Sequence, residues 1–348
     1  MAELYKKQND LENIQKLKNV LDYLPRFCLF YFRSLENTKS TRTRLSYAYD
    51  LRVFFEFLIE YGYLEESELR NLDVSFLDTI ESLTIEEYLS YLQVYEKKGQ
   101  QRTNHDSGIL RKLAAIRSFY TYYYKKDMIH TNPTAKVDVP KKHTKNIIRL
   151  DPNEVAELLD MVESGEKLTQ AQLRNHKKTK LRDVAMITLF LGTGIRVSEC
   201  VGLDLNDVDL DNQQIKIIRK GGNEDIVYFN EEVRDALADY MELDRKHCSP
   251  APGHEQALFI SLKNQRISVR SVERLVKKYA SLVTTLKKIT PHKLRSTYGT
   301  NLYRETGDIY LVADVLGHKD VNTTKKHYAA QQEDRKRAAA NVVQLREH

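Results

Sequence analysis

Four short patterns in the second half of the chain bring together side chains that could act on a phosphate group. The first is TGIRVSE, where Arg196 and Glu199 stand three residues apart and so share one face of a helix. A glycine-led helix start followed by arginine offers backbone N–H groups, the helix dipole and a guanidinium fork to an anion. An ion pair between the two side chains on the protein surface explains the pattern about as well.

Two further patterns add a lysine and a histidine–arginine pair. RKGGN puts Lys220 on a glycine-rich turn, from which its ammonium group could enter a cleft and donate a proton. In TPHKLR, His292 and Arg295 follow Thr290 as the predicted cap and Pro291 as the first helical residue. One of the pair could move a proton while the other neutralises charge on a phosphodiester. Taken singly, each pattern has a structural alternative: Lys220 could be a solvated lysine on a turn, and His292 and Arg295 could serve the structure only.

The fourth pattern, VLGHKDVNTTKKHY, turns at Gly317, continues with His318 and ends in Tyr328. The phenol of a free tyrosine has a pKa of about 10, so only about one in a thousand is ionised at neutral pH. A tyrosine nucleophile therefore needs a base or a cationic pocket that stabilises the phenolate. Five side chains could supply that pocket: Arg196, Lys220, His292, Arg295 and His318. The four patterns fall in this order within about 135 residues, which is hard to attribute to chance.

The first third of the chain predicts helices. Residues 41–64 carry apolar side chains at spacings of three and four, which is typical of an amphipathic helix. These side chains are Leu45, Tyr49, Val53, Phe54 and Phe57. A second helix is predicted from Thr84 as its cap to Gly99 as its stop, and a third over 108–129. The third has four tyrosines near its end, of which some are expected to pack and others to face solvent.

The remainder predicts further helices around a small antiparallel sheet. A helix starts at Asp151-Pro152, and the polar stretch 163–180 reads as an exposed insertion. The apolar run that follows breaks at Thr193-Gly194 and resumes as a second helix. Alternating apolar residues on both sides of Gly221-Gly222 predict a β-hairpin over 213–229. ALFIS at 257–261 could add a strand, and from Val269 onward the pattern is again helical.

Length and composition indicate about two domains in a mildly basic protein. The chain has 348 residues, 41% of them hydrophobic, and Lys plus Arg exceed Asp plus Glu by 55 − 49 = 6. This charge permits a nucleic-acid partner without requiring one. No apolar run is long enough to span a membrane, and the N-terminus lacks a signal-peptide core. The three cysteines have neither metal-ligand nor disulfide spacing, so a cytoplasmic location is expected.

The best domain boundary lies in HTNPTAKVDVPKKHTKN, which has two prolines, several lysines and no periodicity. We predict a helical N-terminal domain over 1–135, a linker over 136–147 and a second domain over 148–348. The tail carries five small or apolar side chains on a short predicted helix over 332–346.

The motifs TGIRVSE, RKGG, HKLR, LGH and the following tyrosine resemble, in order and spacing, the tyrosine recombinase (integrase) family. SYAYDLRVFFEFL, RKLAAIRSFYTYYYKKDMIHTNPTAKV and PKK extend the resemblance over nearly the whole chain. The polar stretch before Leu181 and IIRKGG look similar to single-recombinase Xer proteins and mobile-element integrases of Gram-positive bacteria. The resemblance implies a mainly α fold with a small antiparallel sheet. A helical, SAM-like core-binding domain and an α+β catalytic domain would form a C-shaped clamp on DNA.

The resemblance also implies a role for each motif residue. Arg196 and Arg295 would clamp the scissile phosphate, and Lys220 would protonate the leaving 5′ oxygen. His292 would assist proton transfer to and from the tyrosine, and His318 would hydrogen-bond the phosphate. Tyr328 would attack phosphorus and form a 3′-phosphotyrosyl bond. Glu199 would orient the site without reacting.

Two positions depart from the family pattern. Ser296 follows the second arginine, where a histidine is usual, and ten residues rather than the commoner nine lead from His318 to Tyr328. No other tyrosine lies between His318 and the C-terminus. The chain has no Walker-type phosphate loop, which suits a transesterification that conserves bond energy, and neither a cofactor nor a metal is expected.

The implied partners are double-stranded DNA and other copies of the chain. The family works as a homotetramer on two sites, a dimer on each, and its C-terminal helix docks on a neighbouring protomer; packing on its own domain is the alternative. An excisionase or a DNA-bending protein could assist. Mobile-element integration and Xer-type resolution of chromosome dimers use the same chemistry, and the overall resemblance favours the former slightly. A type IB topoisomerase-like enzyme and a catalytically idle DNA-binding regulator are the rival interpretations.

Overall fold

The structure is a computed structural model that describes residues 2–97, 99–139, 148–219, 222–318 and 320–321. The chain divides into two compact units, one of residues 4–145 and one of residues 146–348 together with residues 1–3. Most of the predicted linker and the whole predicted helix 332–346 lie outside the described residues.

The first unit consists of helices and one hairpin that the sequence did not predict. Its helices are α1 (Ala2–Leu21), α2 (Cys28–Ser34), α3 (Thr41–Glu60), α4 (Ser82–Tyr91) and α5 (Asp106–Tyr124). Strands β1 (Val94–Lys97) and β2 (Gln100–Thr103) pair antiparallel. The core of this unit is rich in aromatic side chains, among them Phe54, Phe57, Tyr88, Phe119 and Tyr123.

Helix α3 confirms the predicted amphipathic helix. The Ser40 side chain caps it by accepting from the backbone N–H of Thr43 at 3.2 Å. The chain leaves the helix before Gly62, which has a φ of 76°. Four of the five predicted apolar positions are buried, but Tyr49 is 47% exposed, so its place in the buried face was wrong.

The predicted helix from Thr84 to Gly99 was wrong at both ends. Helix α4 begins after Glu81, and Thr84 is buried within it. Beyond Leu92 the chain forms the β1–β2 hairpin, and Gly99, with a φ of 69°, serves its turn rather than a helix end. In this segment the pairing of β1 with β2 outweighs the local helix propensity. A helical pattern in the sequence does not indicate such pairing. In α5 the tyrosines divide as predicted: Tyr120 and Tyr123 are buried, Tyr122 is half-buried and Tyr124 is exposed.

A buried carboxylate joins α3 to α5. Asp50 is only 2% exposed and accepts a hydrogen bond from Arg111, whose Nη1 also donates to Ser46 Oγ at 2.7 Å. Burial raises the pKa of Asp50 from 3.8 to about 6, although Arg111 and Lys112 act in the opposite direction.

We expect the stability of the wild type, relative to Asp50→Asn, to fall as pH rises. The folded pKa lies above the unfolded value, so the stability that Asp50 contributes is complete below about pH 4 and is lost as pH passes about 6. The difference in unfolding free energy should change by about 3 kcal/mol. Urea unfolding followed by circular dichroism at several pH values measures it. The exposed Asp22→Asn is the control, and a difference independent of pH for Asp50→Asn contradicts the prediction.

The second unit holds seven helices within its described residues and one three-stranded sheet. The helices are α6 (Pro152–Ser164), α7 (Gln170–Thr193), α8 (Val197–Gly202), α9 (Glu231–Leu243), α10 (Val269–Val283), α11 (Pro291–Thr306) and α12 (Ile309–Val315). The strands are β3 (Val208–Asp209), β4 (Gln214–Ile218) and β5 (Glu224–Tyr228), antiparallel in the order β3-β4-β5. The predicted hairpin is confirmed, with Ile215 opposite Val227.

Two predictions for this unit were wrong. The polar stretch 163–180 is not an exposed segment: α7 starts inside it, with a capping box between Thr169 and Gln172, and His176 and Thr179 are buried. Its buried polar groups are satisfied, as His176 Nε2 lies 2.8 Å from the carbonyl oxygen of Val162. Residues 257–261 make isolated bridges rather than a strand.

The predicted start of α6 at Asp151-Pro152 and the break after Thr193 are confirmed. The fold class is therefore confirmed as mainly α with small antiparallel sheets. Among the described helices, none has the length and apolar character to cross a membrane.

Candidate active site

Arginine side chains from three separate parts of the chain bind the turn that ends α12. Arg219, just after β4, donates from Nη2 to the carbonyl oxygen of Val315 at 2.9 Å. Arg295, in α11, donates to the carbonyl oxygen of Leu316. Arg196, before α8, donates from Nη2 to the carbonyl oxygen of Gly317 at 3.1 Å. Three consecutive carbonyl oxygens thus each face a different guanidinium group.

Local sequence explains why these carbonyl groups are available. The last carbonyls of a helix have no partner within the helix and carry partial negative charge. Gly317 has a φ of 59°; its N–H donates to Asp314 at 2.7 Å and that of His318 to Ala313 at 2.9 Å. This pair of bonds is the Schellman arrangement that glycine favours at a helix end. It satisfies two carbonyl groups, and the arginines satisfy the next three.

Arg196 is held by a carboxylate that is itself buried. Its Nη1 lies 2.7 Å from Glu199 Oε1, and its backbone N–H donates to Glu199 Oε2 at 2.7 Å. Glu199 is 5% exposed, so the interpretation as a surface ion pair is wrong. The Glu199 carboxylate thus also takes the backbone N–H of Arg196, one of the N–H groups that the sequence predicted to be available to an anion. The group that Arg196 can present to a ligand is therefore its guanidinium.

Arg295 and His292 stand in the first turns of α11 but differ in exposure. Arg295 is 4% exposed and also donates from Nη1 to the carbonyl oxygen of Gly194 at 2.6 Å. His292 is exposed. Thr290 and Pro291 begin the helix as predicted, although the Thr290 hydroxyl makes no capping hydrogen bond. Ser296, at the position where the family pattern has histidine, donates to the carbonyl oxygen of His292 at 3.0 Å.

Gly194 allows close packing behind the two arginines. It ends α7 with a φ of 63°, and an added Cβ would lie 2.4 Å from the Tyr298 ring and 2.9 Å from Leu316. The glycine of TGIR is thus required by its conformation and by space. Burial raises the pKa of Tyr298, which makes this phenol a poorer nucleophile than a free tyrosine.

Arg219 belongs to this site but was not predicted from the sequence. The prediction for RKGGN named Lys220 and not the arginine before it. A signal was present: Ile215, Ile217 and Arg219 alternate, so they point to the same side of β4 and its continuation. The two isoleucines are buried, and the Arg219 side chain is only 10% exposed.

The structure therefore brings Arg196 and Arg295 together on the carbonyl groups of Gly317 and Leu316. His318 follows this turn directly, and its side chain is half-buried. Lys220 and Tyr328 lie outside the described residues. Within the described part of the chain, no group of three or more His, Cys, Asp or Glu side chains could hold a metal ion.

This fold and motif set define a tyrosine-type site-specific recombinase, and comparison with known proteins agrees. Residues 148–335 match the phage integrase family. The tyrosine recombinase XerC of Caldanaerobacter subterraneus is 33% identical over 307 residues, covering 85% of this chain and 80% of the relative. The tyrosine recombinase XerS of Lactococcus lactis is 29% identical over 358 residues, covering 96% of this chain and 99% of the relative.

Solved structures share the fold. The XerH recombinase bound to its difH substrate aligns with a TM-score of 0.59 at 20% identity, over 83% of this chain and 76% of that one. A lambda integrase dimer bound to a core site aligns with a TM-score of 0.62 at 15% identity, over 87% and 93%. The chain belongs to the phage integrase family and is an Xer-like tyrosine recombinase. Neither the topoisomerase-like enzyme nor the idle regulator is favoured.

Proposed function

We propose that the chain cuts and rejoins double-stranded DNA at a specific site, through a 3′-phosphotyrosyl intermediate and a Holliday junction. The observation that supports this most directly is the convergence of Arg196 and Arg295 on adjacent carbonyl groups of one turn. Two guanidinium groups fixed side by side match the non-bridging oxygens of one phosphate. They would stabilise negative charge at phosphorus without rearranging during the reaction.

The proposed chemistry assigns one step to each remaining residue. The Tyr328 oxygen attacks phosphorus and passes its proton to His292 as the O–P bond forms. The bond to the 5′ oxygen breaks, and Lys220 protonates that oxygen as it leaves. His318 donates a hydrogen bond to the phosphate, and Glu199 holds Arg196 in place. Reversal of these steps with a 5′ hydroxyl from the partner strand rejoins the DNA.

The proposed assembly is a homotetramer on two recombination sites, with a dimer on each. Residues 1–135 would be the core-binding domain and 148–348 the catalytic domain of a clamp on DNA. The tail helix 332–346 would contact a neighbouring protomer, and an excisionase or DNA-bending protein could join the complex. The protein would act in the cytoplasm, where the bacterial chromosome is accessible.

Covalent capture of DNA tests this function. The genomic DNA bound by the protein in its own host is first recovered and sequenced to find the site. A duplex of that site, nicked near the scissile phosphate, should then become attached to the protein, because loss of the short strand prevents religation. Absence of an adduct on every recovered site contradicts the proposal. Recovery of a single chromosomal locus indicates dimer resolution, whereas recovery of element ends indicates integration.

A further inference from the structure

The Arg219 side chain is only 10% exposed and lies among partners that neutralise its charge. Its Nε lies 2.7 Å from Asp225 Oδ2, its Nη1 3.4 Å from Glu199 Oε2, and its Nη2 donates to the carbonyl oxygen of Val315 at 2.9 Å. Two carboxylates and a carbonyl group therefore surround the guanidinium. A group engaged in this way is suited to holding protein segments together rather than to binding a phosphate.

The backbone of Arg219 closes the β4–β5 hairpin. Its N–H donates to the carbonyl oxygen of Asn223 at 2.8 Å, and its own carbonyl oxygen accepts from Gly222 at 3.0 Å. Since Asp225 belongs to β5, the side chain also ties the two strands together. One residue thus joins both arms of the hairpin at the base of its turn.

The other side of Arg219 fits against the end of α12. A Cβ added at Gly317 would lie 2.8 Å from Arg219 Nε and 2.9 Å from its Cζ, closer than packed atoms approach. The turn before His318 and the Arg219 guanidinium are therefore in direct contact. Through the shared Glu199 carboxylate, Arg219 is also linked to Arg196.

We propose that Arg219 is a positioning residue that fixes the base of the β4–β5 turn to the end of α12, and thereby sets the place from which Lys220 protonates the leaving oxygen. This inference rests on the proposed function, in which Lys220 is the general acid. Consecutive Cα atoms are about 3.8 Å apart, so an anchor at Arg219 limits where the next residue can lie. General acid catalysis requires the donor within hydrogen-bonding distance of the proton acceptor.

A change of leaving group isolates this role. The nicked duplex is made in two forms, one with the natural 5′ bridging oxygen at the scissile phosphate and one with sulfur there. A thiol is far more acidic than an alcohol, so a thiolate leaves without protonation and needs no general acid. Variants of Lys220, or of a residue that positions it, should then form the adduct slowly with the oxygen substrate and at a near-normal rate with the sulfur substrate.

We expect Arg219→Met to form the covalent adduct about 10²-fold more slowly than wild type on the oxygen substrate. On the sulfur substrate the rates of Arg219→Met and wild type should differ by no more than a few-fold. The same is expected of Lys220→Ala and wild type. Arg196→Ala is the contrasting variant. It should be slow on both substrates, because Arg196 would bind the phosphate itself rather than act on the leaving group. Equal loss of Arg219→Met on both substrates overturns the proposal and makes Arg219 a support of Arg196.

The remaining variants keep the test interpretable. Asp225→Asn removes the charge of one partner of Arg219 and so weakens only that contact, which makes it the variant to use if Arg219→Met fails to fold. It should show a smaller loss that sulfur also restores. If Lys220→Ala is not restored by sulfur, the assigned general acid is wrong. If Lys220→Ala is restored and neither Arg219→Met nor Asp225→Asn is, only the inference about Arg219 is wrong.

Discussion

Tyr328→Phe should bind the recombination site as tightly as wild type and form no covalent adduct on the nicked duplex. Phenylalanine keeps the ring and removes the oxygen that would attack phosphorus, so adduct formation should fall by more than about 10³-fold. Binding depends on phosphate and base contacts made by other residues. Gel shift measures the affinity, and denaturing electrophoresis of labelled DNA measures the adduct.

The matched control for this variant is Tyr298→Phe. Tyr298 packs beside Gly194 at the candidate site, but burial raises the pKa of its phenol, and we assign it no chemical role. Tyr298→Phe should keep adduct formation within a few-fold of wild type. An adduct at wild-type level with Tyr328→Phe would show that another group is the nucleophile.

The second large effect is expected at Arg295. Arg295→Lys keeps the positive charge but loses the planar fork that can hold two oxygens of one phosphate. We expect single-turnover cleavage to fall about 10²- to 10³-fold, the loss typical of removing one donor to a developing anion, with DNA affinity within a few-fold. The loss should be in the rate because the phosphate gains negative charge in the transition state.

Arg266→Lys separates this effect from loss of stability. Arg266 donates from Nη1 to the carbonyl oxygens of Val201 at 3.0 Å and Leu203 at 2.8 Å, and it pairs with Asp204. It is thus another arginine of the same unit that binds backbone carbonyl groups, without a place in the candidate site. Both variants should lower the melting temperature, but only Arg295→Lys should slow cleavage per folded molecule. Equal losses of cleavage and DNA binding with Arg295→Lys would make it a residue that merely holds the DNA backbone.

Local sequence patterns correctly predicted those helix ends and strands that depend on residues close together in the sequence. The capping box of Asp151 and Glu154, the glycine ends of α7 and α12, and the alternation in β4 and β5 all act over a few residues. The misses have a common cause. The β1–β2 hairpin and the start of α7 inside a polar stretch depend on pairing and packing with distant segments, which override local propensity.

By itself, the sequence determined which residues are candidates for chemistry and in what order they occur. It also determined the turn before His318, because only glycine readily adopts the conformation that closes α12 there. The positions of Lys220 and Tyr328 within the site stay predictions.

The tertiary structure decided how the basic residues are used. Arg196, Arg219 and Arg295 are widely separated along the chain, yet they meet on three consecutive carbonyl groups. Packing also buried Glu199 between two guanidinium groups, which turned an apparent surface ion pair into part of the site. Such contacts depend on how whole helices and strands pack against each other. The periodicity within one element therefore does not indicate which carbonyl group a distant arginine will reach.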